Sequence, residues 1–219
     1  DGHVGESSNM NVAFVTRDDV FRHPKFERVL PGCTSLRLLE LARGLVGRGI
    51  AALVRPNTRV VYCESPGSQT MEVQDIPAIA EAAHKAGAIL MFDNTWGAGH
   101  YFKAFEHGAD VSIQAATKYL VGHSDAMMGT VTCNKTTWEQ FRAAYEQMGQ
   151  FAGPDDMYLT LRGIHTLDVR LERHMKNAVT VAEWLRGRDE VEAVLYPALS
   201  NAPGHELWKR DFRGASGLF

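Results

Sequence analysis

Cysteine is scarce in this sequence: Cys33, Cys63 and Cys133 are the only three in 219 residues. They are odd in number, widely spaced and form no CxxC pair. That argues against a disulfide framework and against a structural zinc site. Cys63 and Cys133 lie in apolar, strand-like runs and read as small buried hydrophobes. A reducing cytoplasm is the compartment expected from this usage. An excess of one charge is also missing. Lys and Arg number 23 against 26 Asp and Glu, for a net charge of −3, and no basic block stands out. Nucleic acid is therefore not an expected partner. Long apolar runs are absent as well. The longest strongly apolar stretch, 86–92, falls far short of the roughly 20 residues a bilayer-spanning helix needs, so no membrane partner is expected. The opening residues show no basic region followed by an apolar run, so no signal peptide is expected. HExxH, P-loop and GxGxxG patterns do not occur, and no metal site is expected. Repeats and low-complexity stretches are lacking too.

What the sequence does contain is the composition of a packed globular protein. Hydrophobic residues make up 45% and charged residues 22%, which predicts a real core and not disorder. A chain of this length can bury roughly 70% of its unfolded surface. The chain does not begin with Met, and it stops at Gly217-Leu218-Phe219 in what reads as the start of a strand. A fragment of a longer chain is the expectation.

Residues 1–45 are the least legible. Asn11–Thr16 fits a strand, and Ser35–Val46 fits a helix with Leu36, Leu39 and Val46 inward. From Arg59 the pattern sharpens. Arg59–Glu64 reads as a buried strand. Asp75 reads as a helix N-cap with Pro77 in the first turn, where its missing N–H costs nothing. Ile76, Ile79, Ala80 and Ala83 recur with helical spacing, and Gly87 is a natural stop. Ala88–Phe92 is a second strand, which makes a βαβ unit and predicts parallel pairing. A short helix over Phe102–His107 leads to strands at Val111–Ala115 and Met127–Cys133. Thr136-x-x-Glu139 has the form of a capping box opening a helix to about Gly149. One long helix is expected from Asp155 to Leu185, and a strand at Val191–Leu195. Together these predict an α/β fold, three layers around a mostly parallel sheet. Residues 1–165 form a partial large domain, and 166–219 form a linking helix and the start of a smaller α/β domain.

In such sheets ligands bind beyond the carboxyl ends of the strands. Asp93 and Lys118 both fall at such ends, Asp93 directly after the AILMF run and Lys118 shortly after VSIQA. A lysine amine and a carboxylate at one edge suit pyridoxal phosphate, which takes a lysine as its Schiff-base partner and a carboxylate against its ring nitrogen. Burial and nearby positive charge free a lysine amine for that role. On pattern alone Asp93 also fits a helix or turn cap, and Lys118 a solvated surface lysine.

Three stretches carry a resemblance. They are Glu64-Ser65-Pro66-Gly67-Ser68, Asp93-Asn94-Thr95-Trp96 and the run from Ser112 through Ala115-Ala116-Thr117-Lys118-Tyr119 to Asp125. They resemble the Cys/Met-metabolism family of fold-type I, pyridoxal-phosphate-dependent enzymes, and within it the cystathionine β-lyase branch. The likeness runs from about Gly49 to Phe219 and includes 204–212; residues 1–46 lie outside it.

The resemblance implies a large domain of the fold-type I transferase kind and pyridoxal 5'-phosphate as cofactor. It implies Lys118 as Schiff-base lysine and proton carrier, Asp93 as partner of the ring nitrogen, and Thr117 as a phosphate ligand. Ser68 stands where many members have an asparagine near the ring oxygen, and Ala115 where many have a phosphate-binding serine. Both departures point to the β-lyase branch. The implied reaction in that branch is β-elimination of L-cystathionine, a step of methionine biosynthesis, giving homocysteine, pyruvate and ammonia. The implied substrate is a small sulfur amino acid, and the implied assembly is a cytoplasmic homotetramer built from dimers. γ-Synthase, γ-lyase or cysteine-S-conjugate lyase activity on the same fold stays open, as does an incomplete, non-catalytic chain. The family's ring-stacking tyrosine and substrate-carboxylate arginine have no counterpart in this sequence.

His123-Ser124-Asp125 has the composition of a catalytic triad but not its form, because triad members meet from separate segments. Gly122-x-Ser124-x-Ala126 is close to a nucleophile elbow, a hydrolase signature. An elbow requires a strand directly before its serine and a closing glycine, and Ala126 stands in the glycine's place.

Overall fold

The computed structural model describes residues 54–219 and the short strands β1 (Phe14–Val15) and β2 (Phe21–Arg22). β1 and β2 pair antiparallel, and β1 falls inside the strand expected at Asn11–Thr16. The helix expected at Ser35–Val46 lies outside the described residues.

The main sheet has four strands, β3 (Val60–Glu64), β4 (Ile89–Asp93), β5 (Val111–Ala115) and β6 (Gly129–Cys133), in that spatial order. β3, β4 and β5 run parallel, and β6 returns antiparallel. The fold is α/β on a mostly parallel sheet, as the βαβ reading requires. Helix α1 (Ile76–Lys85) makes the β3–β4 crossover. Asp75 caps it by accepting the Ala78 N–H at 3.2 Å, and Gly87 adopts φ +71° just past its end.

Strand alternation sorts the side chains. Leu90 and Phe92 are fully buried and share one core cluster with Ile76, Ile79 and Ala80 of α1. On the opposite face the register sets Glu64 beside Asp93 and Tyr62 beside Met91. That face carries the acidic groups to the strands' carboxyl ends.

Beyond the sheet lie a 3-10 turn at Ala104–His107 and helices α2 (Trp138–Met148), α3 (Pro154–Ile164), α4 (Leu167–Arg186) and α5 (His205–Asp211). Ala178 and Ala182 of α4, with Tyr196, Leu199 and Phe212 after it, join the same core as Leu90 and Phe92.

Four local expectations are corrected. The capping box at Thr136 does not form. Asn134 takes its place, its Oδ1 accepting the N–H groups of Thr136 and Thr137 at 3.0 Å each. A nearby amide carbonyl is a strong competitor for these donors. The long helix expected at Asp155–Leu185 is two helices, α3 and α4, broken at His165–Thr166. At the break the Gly163 carbonyl accepts the Thr166 N–H at 3.2 Å, the Thr166 hydroxyl at 3.3 Å and Arg170 Nη2 at 2.8 Å, a tight turn and side-chain donors standing where the helical ladder would continue. Val191–Leu195 is not a strand. A strand needs a paired neighbour; no strand of the described residues pairs with this segment, which bends at Glu192. Gly217–Phe219 likewise pairs with no strand among the described residues.

Candidate active site

The carboxyl ends of β3, β4 and β5 open onto a cavity of about 970 Å³. Its walls include Glu64, Ser68, Thr95, Thr117 and Lys118 from the sheet side, and Arg170 and His174 from α4. The size suits a cofactor with a small substrate. The structure thus brings Lys118, Thr117 and Ser68 to one cavity, with Asp93 buried at its edge.

Lys118 follows β5 in a tight turn. Its N–H donates to Ala115 O at 3.0 Å, and its carbonyl accepts the Gly122 N–H at 2.8 Å. The side chain is exposed to the cavity, and its amine makes no hydrogen bond or ion pair among the described residues. An amine so held is available for covalent chemistry.

Asp93 ends β4 and is 3% exposed. Its Oδ1 accepts the Thr95 N–H at 2.9 Å, and its Oδ2 accepts the Tyr62 hydroxyl at 3.4 Å. Both donors are neutral. No cationic side chain of the described residues lies within ion-pair distance. A buried carboxylate is costly without a cation, and a protonated ring nitrogen would supply one. The residues present therefore fit pyridoxal phosphate. Burial first, then the Asp93 charge, raises the Tyr62 phenol above its usual range, so it stays a proton donor to that carboxylate.

Thr117 is tied to Met128. Its hydroxyl accepts the Met128 N–H at 2.8 Å and donates to Met128 O at 3.3 Å, a long bond that leaves the proton weakly engaged. Ser68 is exposed on the Gly67–Ser68 turn, after the cis Ser65–Pro66 peptide.

Several cavity residues were given no role from sequence. Thr95 links two strands, its Oγ1 accepting the Ala115 N–H at 2.8 Å while its own N–H goes to Asp93. Trp96, 5% exposed, donates from Nε1 to Leu218 O at 3.1 Å and meets Phe212 edge-on. Glu64 sits inside a stretch that was legible, and its position at a strand's carboxyl end was the available signal. Burial first, and then Asp93 beside it, push its carboxyl up to about 7, while Lys118 and the Ser68 N–H pull it down.

That shift has a sign. The unfolded carboxyl ionises near 4.5 and the folded one near 7. The group's contribution is fully present below pH 4.5 and is lost as pH rises through 7. We expect Glu64→Gln to be more stable than wild type at pH 8, by about 1–2 kcal/mol after solvent screening, and equal to it at pH 4. Urea unfolding at the two pH values checks this; an equal difference at both would show that Glu64 carries no such shift.

The His123-Ser124-Asp125 turn after Lys118 makes no triad. His123 Nδ1 lies 2.7 Å from Val121 O, and Ser124 and Asp125 are exposed. Ser124 sits in a turn with no strand directly before it, so no nucleophile elbow is present. Among the described residues no group of three metal-ligating side chains occurs, and no helix is long and apolar enough to cross a membrane.

The cavity thus has a lysine in its wall and a buried acid beside it, at the carboxyl edge of a mostly parallel sheet. The sequence profile described as Cys/Met metabolism PLP-dependent enzyme matches residues 40–219, and the chain belongs to that family. The match begins at residue 40, inside the 1–46 stretch read as outside the likeness. Cystathionine beta-lyase MetC of Escherichia coli (strain K12) is 55% identical over 177 residues, 80% of this chain and 45% of that protein. Cystathionine beta-lyase of Haemophilus influenzae (strain ATCC 51907 / DSM 11121 / KW20 / Rd) is 52% identical over 177 residues, with the same coverage. Among solved structures, that of metB from Corynebacterium glutamicum superposes with a TM-score of 0.74 at 34% identity, covering 77% of this chain and 44% of that one. The chain spans about half the length of the curated relatives it matches.

Proposed function

We propose that this chain carries the lysine half of a pyridoxal-phosphate site for carbon–sulfur β-elimination, with L-cystathionine as substrate and homocysteine, pyruvate and ammonia as products. The observation that carries the reading is the pairing at one sheet edge of an unengaged lysine amine with a buried carboxylate that lacks a cation. Identity of 55% and 52% to two cystathionine β-lyases supports the choice of branch.

Pyridoxal phosphate, when bound, supplies a ring that takes up the electrons left at the substrate Cα when its proton departs. Lys118 would hold the cofactor and, once released, remove the Cα proton and carry protons at Cα and Cβ. Asp93 would keep the ring nitrogen protonated. Thr117 would turn its weakly engaged hydroxyl to the phosphate, and Ser68 would face the ring oxygen. The same reading places residues 1–165 in the cofactor-holding domain and 166–219 in a linking helix and the start of a smaller domain, in a cytoplasmic homotetramer.

Pyruvate release from L-cystathionine by the purified protein with added pyridoxal phosphate tests this. Pyruvate with equimolar homocysteine is expected. Elimination at Cγ, giving cysteine and a four-carbon keto acid, would move the reading to the γ-lyases; bound cofactor without turnover would leave a non-catalytic chain.

A further inference from the structure

Arg170 stands in the first turn of α4 and lines the same cavity as Lys118. Its guanidinium donates to neutral oxygens on two chain segments. Nη1 reaches Tyr119 O at 2.9 Å, Nη2 reaches Gly163 O at 2.8 Å, and Nε reaches Thr166 Oγ1 at 3.1 Å. No carboxylate of the described residues pairs with it. A charge without a counter-ion, partly withdrawn from water, is retained at a cost.

The backbone is shaped around this side chain. Gly122 has φ +73°, and a Cβ there would stand 2.2 Å from Arg170 Nη1. Gly163 has no room for a Cβ against the carbonyls of Leu120 and Val121. The guanidinium therefore lies against the turn that follows Lys118, and Gly163 of the α3–α4 corner, to which it is bonded, packs against the same turn. Within the turn Lys118 is fixed by Ala115 O and the Gly122 N–H. The next carbonyl, that of Tyr119, is fixed by Arg170. A planar fork of donors can hold two carbonyls from separate segments at once, which an ammonium does less rigidly.

We propose that Arg170 is a positioning residue for Lys118: it clamps the 119–122 turn to the α3–α4 corner and so sets the direction in which the lysine amine enters the cavity. The inference rests on the reading of Lys118 as the cofactor lysine. A reacting group must be held closely, since a displacement of about 1 Å can cost about 10²-fold in rate.

The test follows covalent attachment of pyridoxal phosphate to Lys118, read by absorbance and by borohydride trapping with peptide mass analysis. Wild type, Arg170→Gln, Arg170→Lys and Gly122→Ala are compared at temperatures where each is folded. Arg170→Gln should slow attachment about tenfold or more and lower kcat by a similar factor, with KM little changed. Arg170→Lys should recover part of the loss, because an ammonium can still hold one carbonyl. Gly122→Ala should reproduce the Arg170→Gln loss, and the double variant should lose little more. Wild-type attachment rate and kcat in both Arg170→Gln and Gly122→Ala would overturn this inference alone. Absence of any Lys118 adduct in wild type would overturn the cofactor reading and this inference with it.

Discussion

Lys118→Ala protein will carry no covalently linked pyridoxal phosphate, and β-elimination will fall by at least the roughly 10²–10⁴-fold that a positioned proton-transfer group contributes. The size of this effect follows from the lysine's two duties, holding the cofactor and moving the proton. No other described lysine lines the cavity. The variant should fold normally. The side chain is exposed and its amine makes no hydrogen bond, and surface changes of that kind lie within about 0.5 kcal/mol. Absorbance and activity measured at unchanged melting temperature check the prediction. A variant that kept the Schiff-base absorbance would place the linkage elsewhere.

The second large effect is expected at Asp93. Asp93→Ala should weaken cofactor binding and cut elimination by about 10²-fold or more, the scale on which a preorganised charge at a reacting centre counts. Asp93→Asn separates charge from shape. Its side-chain carbonyl can still accept the Thr95 N–H that Oδ1 now accepts, so the turn at the end of β4 is kept. The negative charge that would hold the ring nitrogen protonated is lost. Both variants should therefore be slow, with Asp93→Asn closer to wild type in stability than Asp93→Ala. Cofactor titration and pyruvate release read the two effects separately. Wild-type kcat in Asp93→Asn would remove the charge from the mechanism.

The legible parts of this molecule are those in which one physical signal dominates. The strands β3, β4 and β5 are short apolar runs bounded by turn residues, and α1 combines a cap, a first-turn proline and helical apolar spacing. The placement of Lys118 and Asp93 at one sheet edge was legible because both follow strands of a βαβ pattern, and the surrounding stretches resemble a known family. What escaped depended on contacts distant in sequence or on local competition. Asn134 outcompetes Thr136 as a cap because its Oδ1 takes both the Thr136 and Thr137 N–H groups and the Thr136 hydroxyl as well. At the break between α3 and α4 the Gly163 carbonyl is taken by Thr166 and by Arg170 Nη2, a meeting that apolar spacing does not report. Arg170 meets the Tyr119 carbonyl across 51 positions, and Trp96 meets Leu218 across 122. A backbone carbonyl exists at every residue, so neither meeting leaves a mark in residue type.

These distant contacts bear directly on function. Trp96 ties the 216–218 segment to the cavity, and Tyr196 ties it to the core by donating to Ser216 O at 2.8 Å. Burial drives the Tyr119 phenol upward while contacts to Ser216, Gly217 and Leu218 draw it down, so the residue after Lys118 binds that same segment. The lysine turn is thus held from the sheet, from α4 and from the 216–218 segment, three supports for one amine.

On the proposed reading the Lys118 amine is the covalent anchor of pyridoxal phosphate. Its most direct measurement is to mix the purified protein with the cofactor, reduce with borohydride, digest, and locate the added mass. A single phosphopyridoxyl group is expected on the peptide containing Thr117-Lys118-Tyr119. A reduced adduct on a different lysine, or none on Lys118, would contradict it.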